Sequence, residues 1–144
     1  MPDALPTLLF VCIENSCRSQ MAEGFAKRLG EGRVTVESAG SRPSGQVNPR
    51  AIQFMAERGI NLSAQHSKGL DDLPPVRWDY LVTMGCGDAC PSLPARHRLD
   101  WDLPDPKSLT DEGFREVRDR IEGLVRELLA LATQGSQPSE GSKP

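Results

Sequence analysis

"FVCIENSCRSQMAEG", residues 10–24, places a cysteine, Cys12, directly after an apolar run and an arginine, Arg18, six positions later where a helical pattern begins. Upstream, residues 7–11 (TLLFV) are short, apolar and β-prone. Downstream, Met21, Ala22, Phe25, Ala26 and Leu29 recur at helical spacing until Gly30 offers a C-cap. Loop 12–18 therefore joins a strand to a helix. Closing onto a helix N-terminus, it turns several backbone N–H groups inward and makes a concavity suited to a tetrahedral oxyanion. Arg18 adds a planar fork that pairs with two oxygens at once. The same positive field is expected to depress the thiol pKa of Cys12, making it a nucleophile near neutral pH. Ser19, in the first helical turn, is placed to donate its hydroxyl to that sulfur, and Asn15 tolerates the left-handed backbone that a tight loop needs.

Working outward, residues 34–40 (VTVESAG) read as a second strand. Asn48-Pro49 then supplies an N-cap with proline at the first helical position, Ile52, Met55 and Ala56 mark the inner face, and Gly59 ends the helix. One or two short helical turns are expected around Ser63 to Leu70, before the stop at Pro74-Pro75. Residues 78–84 (WDYLVTM) form a buried strand and 96–101 (RHRLDW) a shorter one. Thr110 caps a long helix, reaching about Thr133, whose Phe114, Val117, Ile121, Leu124, Leu128 and Leu131 keep core spacing. Alternating strands and helices predict right-handed βαβ units: an α/β fold with a four-stranded parallel sheet and helices on both faces. Ligands in such sheets bind at the carboxyl ends of the strands, where the Cys12 loop lies. One domain spans 1–133, and the Gly/Pro/Ser-rich residues 134–144 read as a disordered tail.

A formal net charge of -3 over 144 residues provides no basic stripe for nucleic acid. The N-terminus lacks a basic region and a long apolar run, and no stretch approaches the ~20 apolar residues of a membrane span. These features point to a cytoplasmic protein with no membrane or nucleic-acid partner, and with no exposed apolar stripe evident a monomer is the default expectation. Cytoplasmic thiols are kept reduced, so the four cysteines, at 12, 17, 86 and 90, are better read as catalytic or metal-binding than as structural disulfides. A four-cysteine zinc module is one alternative, since C-x4-C and C-x3-C fall within loose zinc spacing. It ranks lower because it leaves Arg18 beside a cation without a reason, and no metal site is expected.

From Cys12 to Gly24 the sequence resembles the active-site signature of arsenate reductases built on the low-molecular-weight protein tyrosine phosphatase fold. Ser38-Ala39-Gly40, Asn48-Pro49, the stretch from Val82 to Pro91 (VTMGCGDACP) and that from Trp101 to Pro106 (WDLPDP) have counterparts there. The resemblance implies that Cys12 is the nucleophile and that Ile13, Glu14, Asn15, Ser16, Cys17, Arg18 and Ser19 hold arsenate, with phosphate or sulfate competing. It also implies that Asp105 is the general acid. Cys86 and Cys90 become the second and third thiols of a relay that releases arsenite and carries a disulfide to the surface. Gly85 and Gly87 give that segment backbone freedom. No cofactor is expected to be bound.

Electrons come from thioredoxin or from a low-molecular-weight thiol system with a glutaredoxin-like protein. The first is preferred because both extra cysteines are present, although the resolving cysteines of thioredoxin-coupled relatives lie farther apart. A phosphatase forming a phosphocysteine on Cys12 is the nearer alternative. Some relatives hold potassium behind the loop at positions matching Asn15, Glu23 and Ser38 and an aspartate. Lys68 stands where that aspartate would be, so no potassium site is expected; its ammonium either pairs with Glu23 in place of the ion or is simply solvated. Cys17 reads as a packing residue that could form a disulfide with Cys12 under peroxide. His66 and His97 read as surface or turn residues, and Trp78 and Trp101 as packing at strand ends.

Overall fold

The computed structural model describes residues 5–74, 76–85 and 93–134. Four strands, β1 (Thr7–Cys12), β2 (Thr35–Gly40), β3 (Trp78–Thr83) and β4 (Ala95–Asp100), form one parallel sheet in the order β2-β1-β3-β4. Successive side chains of β1 point to opposite faces, and both sets are apolar, as a strand covered on two sides requires. Leu8 and Phe10 face α1 (Arg18–Leu29), α2 (Pro49–Ala56) and α3 (Asp111–Gln134), joining Phe25, Phe54, Phe114 and Ile121 in the main core. Leu9 and Val11 face the other way and, with Trp78 and Leu81, are covered by Leu70, Leu73 and Leu93. The sheet is thus flanked by the α-helices on one face and by a 3-10 helix, Leu70–Asp72, on the other.

Local signals act as their chemistry predicts. The Asn48 side chain accepts from the Arg50 backbone N–H at 2.8 Å with Pro49 in the first turn of α2. Thr110 Oγ1 accepts from Gly113 N–H at 3.1 Å, and α3 runs one residue past the expected Thr133. Gly30 does cap α1, but at φ −107°, and the left-handed residue in that turn is Gly32. Of the turns expected around Ser63 to Leu70, one closes where the Gln65 N–H donates to the Leu62 carbonyl at 2.9 Å, and a 3-10 helix lies at Leu70–Asp72, where the Gly69 N–H donates to the Asp72 carboxylate at 3.0 Å. The fourth strand is shifted by one residue from 96–101: it ends at Asp100, with the Trp101 N–H still donating to the Thr83 carbonyl at 2.8 Å and the indole packing at 5.7 Å against Phe10. Trp78 is likewise buried, and His97 stacks on Tyr80. Among the described residues, no helix is long and apolar enough to cross a membrane. The tail expected at 134–144 lies, beyond Gln134, outside the described residues.

Candidate active site

The strand order reverses between β1 and β3, so the loops leaving their carboxyl ends part there and open a crevice. Loop 12–18 leaves β1 at that point. Its backbone rests directly on the end of β2, and a β-carbon on Gly40 would stand 2.5 Å from the Ile13 carbonyl oxygen, so only glycine permits this approach. Asn15 adopts φ 52°, the left-handed conformation expected of it. No side-chain bond from Cys17 caps α1 and its first turn holds no acidic residue. The N-terminal N–H groups of that helix are therefore left without a capping side chain.

A cavity of about 80 Å³ is lined by Cys12, Ile13, Glu14, Ser16, Cys17, Arg18 and Asp105. That is well below the about 300–1,000 Å³ of sites for drug-sized molecules, and it limits the occupant to a small ligand. Asp105 is brought here from the far end of the sequence, with Oδ2 at 3.9 Å from Arg18 Nη2. Arg18 is buried, and its Nη1 donates to the Leu103 carbonyl at 3.0 Å. Gly85, at φ 77°, lies against the same guanidinium nitrogen: a β-carbon there would fall 2.5 Å from Nη1 and 3.3 Å from the Leu103 carbonyl oxygen.

The expected oxyanion residues divide into two groups. Ile13, Glu14, Ser16, Cys17 and Arg18 line the cavity, whereas Asn15 and Ser19 are fully buried behind it and hold its shape. Ser19 Oγ lies 2.9 Å from Cys12 Sγ, and the Asn15 N–H donates to the same sulfur at 3.3 Å. Asn15 Nδ2 donates to Ser19 Oγ at 2.7 Å and to Ser38 Oγ at 2.9 Å. Its Oδ1 accepts from Gln20 Nε2 at 2.9 Å and from the Lys68 N–H at 2.8 Å, which fills every hydrogen-bonding position of that amide. Ser38 in turn donates to Glu23 Oε1 at 2.5 Å. Glu23 is buried and meets Lys27 at 2.6 Å and Lys68 at 3.7 Å, so the Lys68 pairing is present and is the longer of the two.

Cys17 is buried and its thiol is pushed up to about 12, first by burial, so it stays protonated at neutral pH. Among the described residues, no cluster of three or more His, Cys, Asp or Glu could hold a metal ion. Cys86 and Cys90 lie outside the described residues. Three contributors escaped sequence reasoning. Gln20 ties Asn15 to the His66 carbonyl, Leu103 anchors Arg18 through its backbone, and Lys107 Nζ meets Glu14 Oε1 at 2.5 Å. Gln20 and Leu103 lie inside the stretches that carry the resemblance, Cys12–Gly24 and Trp101–Pro106, and Lys107 directly follows the second; their contacts had no sequence signal.

The comparisons with known proteins agree with this geometry. The family model described as low molecular weight phosphotyrosine protein phosphatase matches residues 7–137. A glutaredoxin arsenate reductase of Synechocystis is 41% identical over 126 residues, covering 85% of this chain and 95% of that protein. An arsenate reductase of Staphylococcus aureus is 43% identical over 119 residues, covering 80% of this chain and 89% of the relative. Among solved structures, an arsenate reductase in a phosphate-binding state superposes with TM-score 0.80 at 40% identity, over 89% of this chain and 99% of that one. The thioredoxin-dependent arsenate reductase of Corynebacterium glutamicum does so with TM-score 0.77 at 33% identity, over 94% of this chain and 65% of that one. With the match running from β1 to the end of α3, the chain belongs to the low molecular weight phosphotyrosine protein phosphatase family.

Proposed function

We propose that this chain reduces arsenate to arsenite, with Cys12 as nucleophile, loop 12–18 and Arg18 as the oxyanion cradle, and Asp105 as the acid. The Cys12 sulfur attacks arsenic, and an As–O bond breaks as the departing oxygen takes a proton from Asp105. A second thiol, Cys86, then attacks the Cys12 sulfur. The S–As bond breaks with its electron pair passing to arsenic, so arsenic(V) becomes arsenic(III), two thiols become a disulfide, and arsenite leaves. Cys90 exchanges into that disulfide, and an external dithiol of the thioredoxin or glutaredoxin class reduces it again. The reaction needs a compartment whose thiols are kept reduced, which favours the cytoplasm.

One observation carries the choice of reduction over ester hydrolysis: Gly85, the residue preceding Cys86, lies against the Arg18 guanidinium. The chain thus enters the segment bearing two further thiols at the edge of the cradle itself. Names of the relatives, arsenate reductases in cyanobacterial and staphylococcal cells, support the same reading. The test is arsenate-dependent NADPH oxidation coupled either to thioredoxin and its reductase or to glutathione and glutaredoxin. Cys12→Ser is expected to lose at least about 10³-fold in rate, as removal of a nucleophile does. Cys86→Ser should abolish arsenate turnover while leaving any Cys12-dependent cleavage of p-nitrophenyl phosphate intact. Full arsenate turnover by Cys86→Ser would remove Cys86 from the relay in favour of an external thiol. Cleavage of p-nitrophenyl phosphate by a wild type that supports no arsenate-dependent NADPH oxidation would reverse the reading in favour of a phosphatase.

A further inference from the structure

Asp105 is half-exposed, and its 3.9 Å contact with Arg18 is too long to fix a carboxyl group by itself. Its turn is nevertheless tied to the cradle on both sides. Before Asp105, the Leu103 carbonyl accepts from Arg18 at 3.0 Å. After it, the Lys107 N–H donates to Asp105 Oδ1 at 3.0 Å, and the Lys107 ammonium crosses to the Glu14 carboxylate at 2.5 Å. We propose that the Glu14–Lys107 ion pair is a latch that holds the Asp105 turn against the cradle, making Glu14 and Lys107 positioning residues for proton delivery; its catalytic consequence rests on the function proposed above.

Both posts of the latch are anchored through their backbones. The Glu14 carbonyl accepts from the Ser44 N–H at 3.0 Å and from Ser67 Oγ at 3.1 Å. The Lys107 carbonyl accepts from Arg50 Nη1 at 3.1 Å, and Arg50 Nη2 donates to the Leu109 carbonyl at 2.9 Å. With both ends fixed, closing the pair orders only two side chains, the circumstance in which a surface ion pair contributes. The hydrogen bond to Glu14 also raises the pKa of Lys107, so the ammonium persists across neutral pH. Glu14 and Lys107 are each more than one-third exposed, so salt is expected to loosen the latch. The backbone of residue 14 belongs to the cradle whatever its side chain, and removing the carboxylate leaves the N–H groups and Arg18 in place.

The test compares Glu14→Gln, Lys107→Gln and the double variant with the wild type by steady-state arsenate reduction and by amide hydrogen exchange. Each single substitution is expected to lower kcat about three- to fivefold, the scale of a favourable exposed pair, and to leave KM for arsenate within about twofold. The double variant should be no slower than the worse single. In all three, the Lys107 and Leu109 amides should exchange faster than in the wild type. Additive losses in the double variant, or unchanged exchange at Lys107, would overturn the latch. Should the wild type reduce no arsenate, the functional reading fails by itself, and the exchange rates still decide whether the latch exists.

Discussion

Two polar networks cross this molecule, and they behave as opposites. Behind the Cys12 loop, Asn15, Ser19, Gln20, Glu23 and Ser38 are all buried, with Asn15 bonded to Ser19, Gln20 and Ser38, and Ser38 to Glu23, at 2.5–2.9 Å. Between α2 and α3, Glu57 accepts from Arg115 and Arg118, and Asp119 from Arg58 and Arg118, over comparable distances, but only Arg118 is buried. In the first network a lost partner strands a polar group away from water, which costs the full desolvation of that group. In the second, water takes the vacated place. Hydrogen-bond distances alone do not separate the two; burial does, and it makes the first network the part that fixes shape.

The largest effect is expected at Asn15. Replacing it by alanine removes four side-chain bonds and forces an ordinary residue into φ 52°. Asn15→Ala should lose about 2–4 kcal/mol of stability by urea denaturation, with arsenate turnover falling about 10²-fold as the cradle relaxes. Asn15→Gly removes the same bonds without the backbone strain and should recover about 0.5–1 kcal/mol of that loss. Equal stability of the two variants would show that the backbone conformation contributes nothing, and a loss below about 1 kcal/mol would place this network with the surface one.

Gly85→Ala should come next. The new methyl meets Arg18 Nη1, the atom bonded to Leu103, in a residue already at φ 77°. Displacing the guanidinium should raise KM for arsenate about tenfold, and the positive φ should cost about 1–2 kcal/mol. An unchanged KM would mean that the position of Arg18 is set by Leu103 and Asp105 alone.

The difference between the two networks also explains what the sequence made legible. β1 announces itself because a strand buried on both faces must be apolar, β3 because Trp78, Tyr80, Leu81 and Val82 are β-prone and apolar, and α3 because one face carries Phe114, Val117, Ile121 and Leu128. The loop was readable because Cys12, Asn15, Arg18 and Ser19 are close in sequence and their chemistry is local. β4 was weaker for the opposite reason: as an edge strand with Arg96, His97 and Arg98 exposed, it lacks apolar alternation. The strand order and the meeting of Glu14 with Lys107, 93 residues apart, depend on the whole chain being folded, and spacing cannot encode them. Asp105 entered the expected site through family resemblance, since an Asp-Pro is ordinarily only a turn.

The smallest effect belongs to the surface network, and its pH dependence is what identifies it. Hydrogen bonds from Arg115 and then Arg118 lower the Glu57 carboxyl to about 2. A carboxylate with a depressed folded-state pKa contributes stability that is fully present above its unfolded value, about 4.3. That contribution is lost as the pH falls through the folded value. The wild type should therefore melt slightly above Glu57→Gln at pH 7, and the gap should narrow as the pH drops from about 4.3 toward 2. High salt should narrow it as well, because the pairs are exposed. Arsenate turnover at neutral pH should be the same in both proteins, because Glu57 touches no group of the cavity. A gap that survives at pH 2, or a change in turnover, would mean that this network shares the buried network's role in fixing shape, and the distinction between the two would fall.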